Sequence, residues 1–144
     1  MAEQSRPASG YKLLPRTAEV IVAAWAPTVE GCLAQAVRGL VSGFADVRAV
    51  RPQEMVAFVC DPSPDDELLV EVLDEAIYLV QTHDVVPVQV AVAPNREGGL
   101  VGEFGVVRRA DVTLRGPLPK AVAWHGLRLD WDGSAWRCHV VVEL

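Results

Sequence analysis

Two glutamates hold the most chemically suggestive positions in this chain of 144 residues. Glu19 stands at the entrance of the run Ala18-Glu-Val-Ile-Val-Ala-Ala-Trp-Ala26, whose other members are apolar. A carboxylate in such surroundings needs a cation, a hydrogen-bond donor or an exposed end, because burying it unpaired is costly. Glu143 is the penultimate residue of the run Val-Val-Val-Glu-Leu and shares its strand parity with Arg137, His139 and Val141. The sequence as given sets a main-chain carboxylate at Leu144 beside it. If the two runs are neighbouring strands, Glu19, Glu143 and Leu144 bring three carboxylates together, an all-oxygen donor set of the kind calcium and magnesium prefer. The alternative is a pair of solvated strand-end acids.

Other catalytic chemistries find little support in the residue pattern. The glycines never take the spacing of a phosphate-cradling or dinucleotide loop, and neither H-E-x-x-H nor G-x-S-x-G occurs. His125 shares parity with Leu127, Leu129 and Trp131, which predicts a half-buried, hydrogen-bonded ring on a regular strand. Cys138 and His139 are sequence neighbours but point to opposite faces of a strand, so they cannot act as a pair. Cys32, Cys60 and Cys138 form no C-x-x-C pair, which argues for reduced thiols and a cytoplasmic setting. Cys32 reads as core packing.

The elements that must position the acids follow from hydrophobic spacing. Val29, Cys32, Leu33, Ala36, Val37, Leu40, Val41 and Phe44 recur at helical intervals, with Thr28 as the expected N-cap. A second helix is expected with Ser63 as N-cap, Pro64 at the first helical position and Asp65, Asp66 and Glu67 in the first turn. Its buried stripe is Leu68, Leu69, Val72, Leu73, Ala76, Ile77 and Val80, with Glu67, Glu71, Asp74 and Glu75 mostly opposite. Residues 18–26 read as a central strand covered on both faces. Further strands are expected at 47–51, 54–60, 85–92, 100–107 and 110–115. The closing segment reads as a hairpin, 122–131 and 135–144 about Asp132-Gly133. The order β-β-α-β-β-α followed by more strands predicts an α+β fold: two helices packed on one face of a largely antiparallel or mixed sheet. One domain is expected over 10–144, preceded by a polar tail at 1–9.

Charge limits the partners. The formal net charge is −6, and no Lys or Arg occurs from Pro52 to Asn95 while nine acids do. Nucleic-acid binders usually carry a basic stripe, so direct tight binding to RNA or DNA is not expected. The acidic run is either a solvated helix face or a surface for a basic protein partner. No segment is apolar for the roughly 20 residues a membrane span needs.

Several segments, in order, resemble the archease family. Gly10-Tyr-Lys-Leu-Leu-Pro-Arg-Thr-Ala-Glu-Val20 with Ala24-Trp-Ala-Pro-Thr-Val-Glu30 is similar to that family's H-T-A-D-[VI] and A-W-G-x-T-x-E-E-A-F. Glu67–Leu79 resembles its L-L-V-x-W-L-N-E-L-L-Y-L helix. Lys120-Ala-Val-Ala-Trp-His-Gly-Leu127 resembles K-A-V-T-Y-H-G-L, and Val141–Leu144 the terminal x-x-D-[LIV]. The resemblance implies an archease-like α+β fold and a non-catalytic accessory protein of an RtcB-type RNA ligase. Such a protein promotes GTP-dependent guanylylation and repeated turnover of the ligase in tRNA splicing or RNA repair. It also implies a divalent cation, calcium in the family, at Glu19, Glu143 and Leu144. Lys120, Arg16 and His125 become candidates for acting on the partner, and a monomer or weak oligomer is expected. The chain departs from the family pattern: Arg16 replaces its histidine, glutamates replace both aspartates, and Val72, Asp74 and Ala123 stand for Trp, Asn and Thr. Arg16 beside Glu19 leaves an internal ion pair open in place of the metal. A chaperone-like adaptor without ligase coupling, or a small metal-dependent enzyme, are the other classes these residues allow.

Overall fold

The computed structural model describes residues 8–144, so most of the expected tail at 1–9 lies outside the described residues. Nine strands and two helices follow in the order β1 (Gly10–Arg16), β2 (Glu19–Ala26), α1 (Val29–Ser42), β3 (Ala45–Asp46), β4 (Glu54–Cys60), α2 (Asp65–His83), β5 (Val85–Pro94), β6 (Leu100–Arg108), β7 (Thr113–Leu114), β8 (Ala121–Trp131) and β9 (Trp136–Glu143). All pairing is antiparallel. The strands divide into a four-stranded sheet β1-β2-β9-β8, a three-stranded sheet β4-β6-β5 and the short pair β3-β7. The α+β architecture is therefore the one expected, with the sheet split. Helix α1 packs on β1, β2 and β9 of one sheet and on β5 of the other, while α2 contacts β8 together with β4 and β5.

Local chemistry explains most boundaries. Thr28 caps α1 by accepting from the Gly31 N–H at 3.0 Å, and the expected apolar stripe of each helix is buried. The start of α2 differs from expectation by one residue. Pro64 is itself the N-cap, in an extended conformation with no side-chain cap bond, and its carbonyl accepts from the Glu67 and Leu68 N–H groups. The Ser63 hydroxyl instead donates to the Asp61 carbonyl at 3.3 Å.

Two expected strands are largely absent. Residues 47–51 form a turn, because the Asp46 carboxylate holds the Arg48 N–H and side chain and Ala49 takes a left-handed φ of 62°. Residues 110–115 begin in a helical turn at Arg109–Asp111 and contribute only Thr113–Leu114 to a sheet. The first strand of the expected order, which the sequence leaves without bounds, is Gly10–Arg16, and it pairs with β2 along its whole length.

Cys32, Cys60 and Cys138 are free and buried. Burial, reinforced by neighbouring Glu71, pushes the Cys60 thiol up to about 12. Cys32 donates its thiol to the Ala24 carbonyl at 3.6 Å, within the core as expected. No described helix is long and apolar enough to cross a membrane.

The β8–β9 hairpin closes on Asp132, whose carboxylate accepts from the Ser134 and Ala135 N–H groups at 2.8 and 2.9 Å and from Arg137. These backbone donors, then Arg137, hold its carboxyl well below the usual carboxylate range. A lowered folded value adds stability that is present above the unfolded-state value and is lost as pH falls toward the folded one. Asp132→Asn is therefore expected to lower the urea midpoint at neutral pH. Its stability should then fall less steeply than the wild type's below the ordinary carboxylate range. Parallel acid slopes for the two proteins would contradict the assignment.

Candidate functional site

Pairing in the four-stranded sheet sorts its side chains onto two faces. Val20, Val22, Ala24 and Ala26 of β2 and Cys138, Val140 and Val142 of β9 are buried in the main core beneath the helices. The alternate residues form the outer face, which no helix covers. Only the small cluster Ile21, Ala123 and Val141 is buried there. This corrects the expectation that residues 18–26 are covered on both sides: the second parity is apolar, but it borders an open surface.

Residues opposite one another in the register form four transverse rows on the outer face. The first runs Arg16, Glu19, Glu143, Ala121. Leu14, Ile21, Val141 and Ala123 form the second, and Lys12, Ala23, His139 and Arg128 the third. Gly10, Trp25, Arg137 and Asp130 make the fourth.

Glu19 and Glu143 are thus direct cross-strand partners. Residues so placed in an antiparallel pair have Cα atoms about 4.5–5.5 Å apart, and like charges there oppose folding. The main chain draws two more predicted residues to the same end. The Leu144 N–H donates to the Ala18 carbonyl at 3.0 Å, and the Lys120 N–H donates to the Glu143 carbonyl at 2.7 Å. Glu19, Arg16 and Leu144 also line one cleft of about 150 Å³ with Leu13, Pro15 and Leu40. Glu19 is half-buried, and Glu143 and Lys120 are exposed.

Arg16 faces Glu19 across the β1–β2 hairpin, yet no salt bridge within 4.0 Å joins them among the described residues. The pair of carboxylates therefore has no protein cation holding it. Two side-chain carboxylates with a main-chain oxygen of Leu144 would make an all-oxygen set of the kind a hard divalent cation prefers. No group of three His, Cys, Asp or Glu side chains is placed to hold a metal ion among the described residues, so main-chain oxygens and water would have to complete the usual six to eight ligands.

His125 is placed differently from the sequence expectation. Strand β8 breaks register between Ala123 and Arg128, and Gly126 in this bulge takes a left-handed φ of 73°. The extra residues cancel the parity that tied His125 to Leu127 and Leu129, and the ring is exposed rather than half-buried. The histidine with a structural bond is His139, whose Nδ1 donates to the Gly126 carbonyl at 2.9 Å. Cys138 and His139 do face opposite sides of the sheet, as expected. The basic third row escaped the sequence reading. Its signal is the alternation of Lys12, Leu14 and Arg16, which has meaning only once β1 is recognised.

Ala18, between Arg16 and Glu19 in the hairpin, has a φ of 61°. A side-chain-bearing residue pays roughly 1–2 kcal/mol for this conformation, which glycine adopts freely. The strained residue supplies the carbonyl that anchors Leu144. Ala18→Gly is expected to stabilise the protein by about 1 kcal/mol in urea unfolding with the site geometry retained; a loss of stability would show that the methyl group is needed there.

The archease protein family model matches residues 11–144. A probable protein archease of Mycobacterium tuberculosis (strain ATCC 25618 / H37Rv) is 35% identical over 136 residues, spanning 94% of this chain and 75% of that protein. The solution structure of Methanobacterium thermoautotrophicum protein 1598 superposes with a TM-score of 0.76 at 19% identity, over 94% of this chain and 99% of that one. A crystal structure from Thermotoga maritima, described as an archease and possible chaperone, gives 0.64 at 15% identity with both chains fully covered. At these identities the two structures speak for the fold alone.

Proposed function

Because the chain belongs to the archease family, we propose that it is a non-catalytic activator of an RtcB-type RNA ligase, acting in the cytoplasm in tRNA splicing or RNA repair. It promotes the GTP-dependent guanylylation of the ligase and so its repeated turnover. The observation that carries this reading is the direct pairing of Glu19 with Glu143 beside Leu144. These are the positions at which the family resemblance puts a divalent cation.

Glu19, Glu143 and a main-chain oxygen of Leu144 are the groups that would hold the ion, calcium by resemblance. When bound, it would supply positive charge that offsets the repulsion between the two carboxylates. Their glutamate side chains are one methylene longer than the family aspartates. Lys120 is anchored through its N–H to the Glu143 carbonyl, and its side chain is exposed at this end of the sheet. Arg16 adds a cation on the far side of Glu19. His125, exposed in the β8 bulge, belongs to a separate part of the surface. The partner is the protein ligase rather than RNA, in keeping with the net charge of −6.

A second reading, a chaperone-like adaptor without ligase coupling, draws on the uncovered outer face. Leu14 and Trp124 are 41% and 59% exposed there and in the adjoining bulge.

Multiple-turnover sealing by the cognate ligase, measured with and without this protein, separates the two. The activator reading expects stimulation by the wild type. It expects Glu19→Ala, Glu143→Ala and Lys120→Ala to lose at least about tenfold of that stimulation, equivalent to about 1.4 kcal/mol, with their unfolding midpoints confirming an intact fold. Absence of stimulation by the wild type overturns it.

A further inference from the structure

The third and fourth rows of the outer face enclose a trough of about 540 Å³, lined by Lys12, Ala23, Trp25, Arg128, Arg137 and His139 together with the two aspartates Asp130 and Asp132. Its size falls in the range of small-ligand sites. The apolar second row separates it from the carboxylates of the first row. The small side chain of Ala23 lies between Lys12 and His139 and leaves the floor low.

The charges around the trough are unevenly satisfied. Asp132 is engaged by two backbone N–H groups, the Ser134 hydroxyl and Arg137. Lys12 and Arg128 have no salt-bridge partner among the described residues. They approach from the two edge strands, three strand spacings apart, which places their Cα atoms about 14 Å from each other. Arg137 stacks over the Trp25 ring at 5.6 Å and uses only its Nε on Asp132, so its terminal N–H donors are available. His139 spends its Nδ1–H on the Gly126 carbonyl, so Nε2 of the neutral ring is an acceptor and offers an anion no donor. Asp130, opposite Arg137, is the one acid lining the trough without a described partner.

We propose that this trough binds a small diphosphate-bearing anion, held between Lys12 and Arg128 with the terminal N–H groups of Arg137 on its flank. Two separated cations with a donor between them match an anion with charge at both ends better than a single phosphate. The apolar second row offers nothing to pair with the charges of a longer acidic peptide. The site does not depend on the ligase reading, because it lies two rows from the paired glutamates.

Inorganic pyrophosphate is the probe, titrated calorimetrically at fixed ionic strength with a chelator present, so that no divalent ion bridges it to Glu19 and Glu143. Saturable one-to-one binding is expected. Lys12→Ala and Arg128→Ala should each weaken it about tenfold or more, and Lys12→Arg should largely restore it. Arg96→Ala removes the same charge from the β5–β6 turn of the other sheet and should leave the affinity unchanged. Both substituted cations are exposed, and an unchanged unfolding midpoint verifies the fold. No saturable binding by the wild type overturns the proposal. So does equal weakening by Arg96→Ala, which would mean diffuse charge attraction, and so does full affinity in the Lys12, Arg128 double variant.

Discussion

The antiparallel pairing of β2 with β9 sets Glu19 directly against Glu143, and the rest of the site is arranged around that pairing. Two carboxylates on facing strand positions repel, so the register has to be enforced by something stronger. The enforcement comes from the other parity, where Val20, Val22 and Ala24 pair with Val142, Val140 and Cys138 inside the helix-covered core. A slip of one residue would turn those side chains outward and bring the carboxylates beneath α1. The hydrophobic face thus holds the acidic pair in a position that it would not adopt by itself.

The same strands give the opposite face its banded character. An acidic row, an apolar row and a basic row follow one another down the outer surface, each drawn from four strands. Both ends of the acidic row are tied by backbone bonds, from Leu144 to Ala18 and from Lys120 to the Glu143 carbonyl. Strain at Ala18 is tolerated in this setting because the hairpin and the last residues of the chain constrain it together.

Much of this was legible in the sequence where a single element decides the outcome. Helical spacing gave both helices and their buried stripes, Thr28 gave the cap of α1, and the Asp132-Gly133 turn gave the final hairpin. Parity within β9 also separated Glu143 and His139 from Cys138 correctly. What remained hidden depends on pairing between distant segments or on local side-chain bonds. The four-residue stretch Trp124–Leu127 reads as ordinary strand by its parity alone; the one signal of the bulge is Gly126 itself, and passing over it gives His125 the wrong environment. Residues 47–51 include Val47 and Val50 and end before Pro52, which suggests a short strand, yet the Asp46 side chain and the left-handed Ala49 turn them. The basic row needs Lys12 and Arg128 brought onto one sheet, which no local pattern reports.

The paired Glu19 and Glu143 carboxylates either hold a cation or stand as solvated strand-end acids. The most direct measurement is chemical unfolding of the wild type and Glu143→Gln, in chelator and in calcium. In chelator the variant should be more stable than the wild type by about 0.2–1 kcal/mol, because the like-charge contact is gone. Calcium should then raise the wild-type midpoint with increasing concentration, as binding to the folded state requires, and leave the variant where it was. A calcium response of equal size in both proteins, or none in either, would contradict the account.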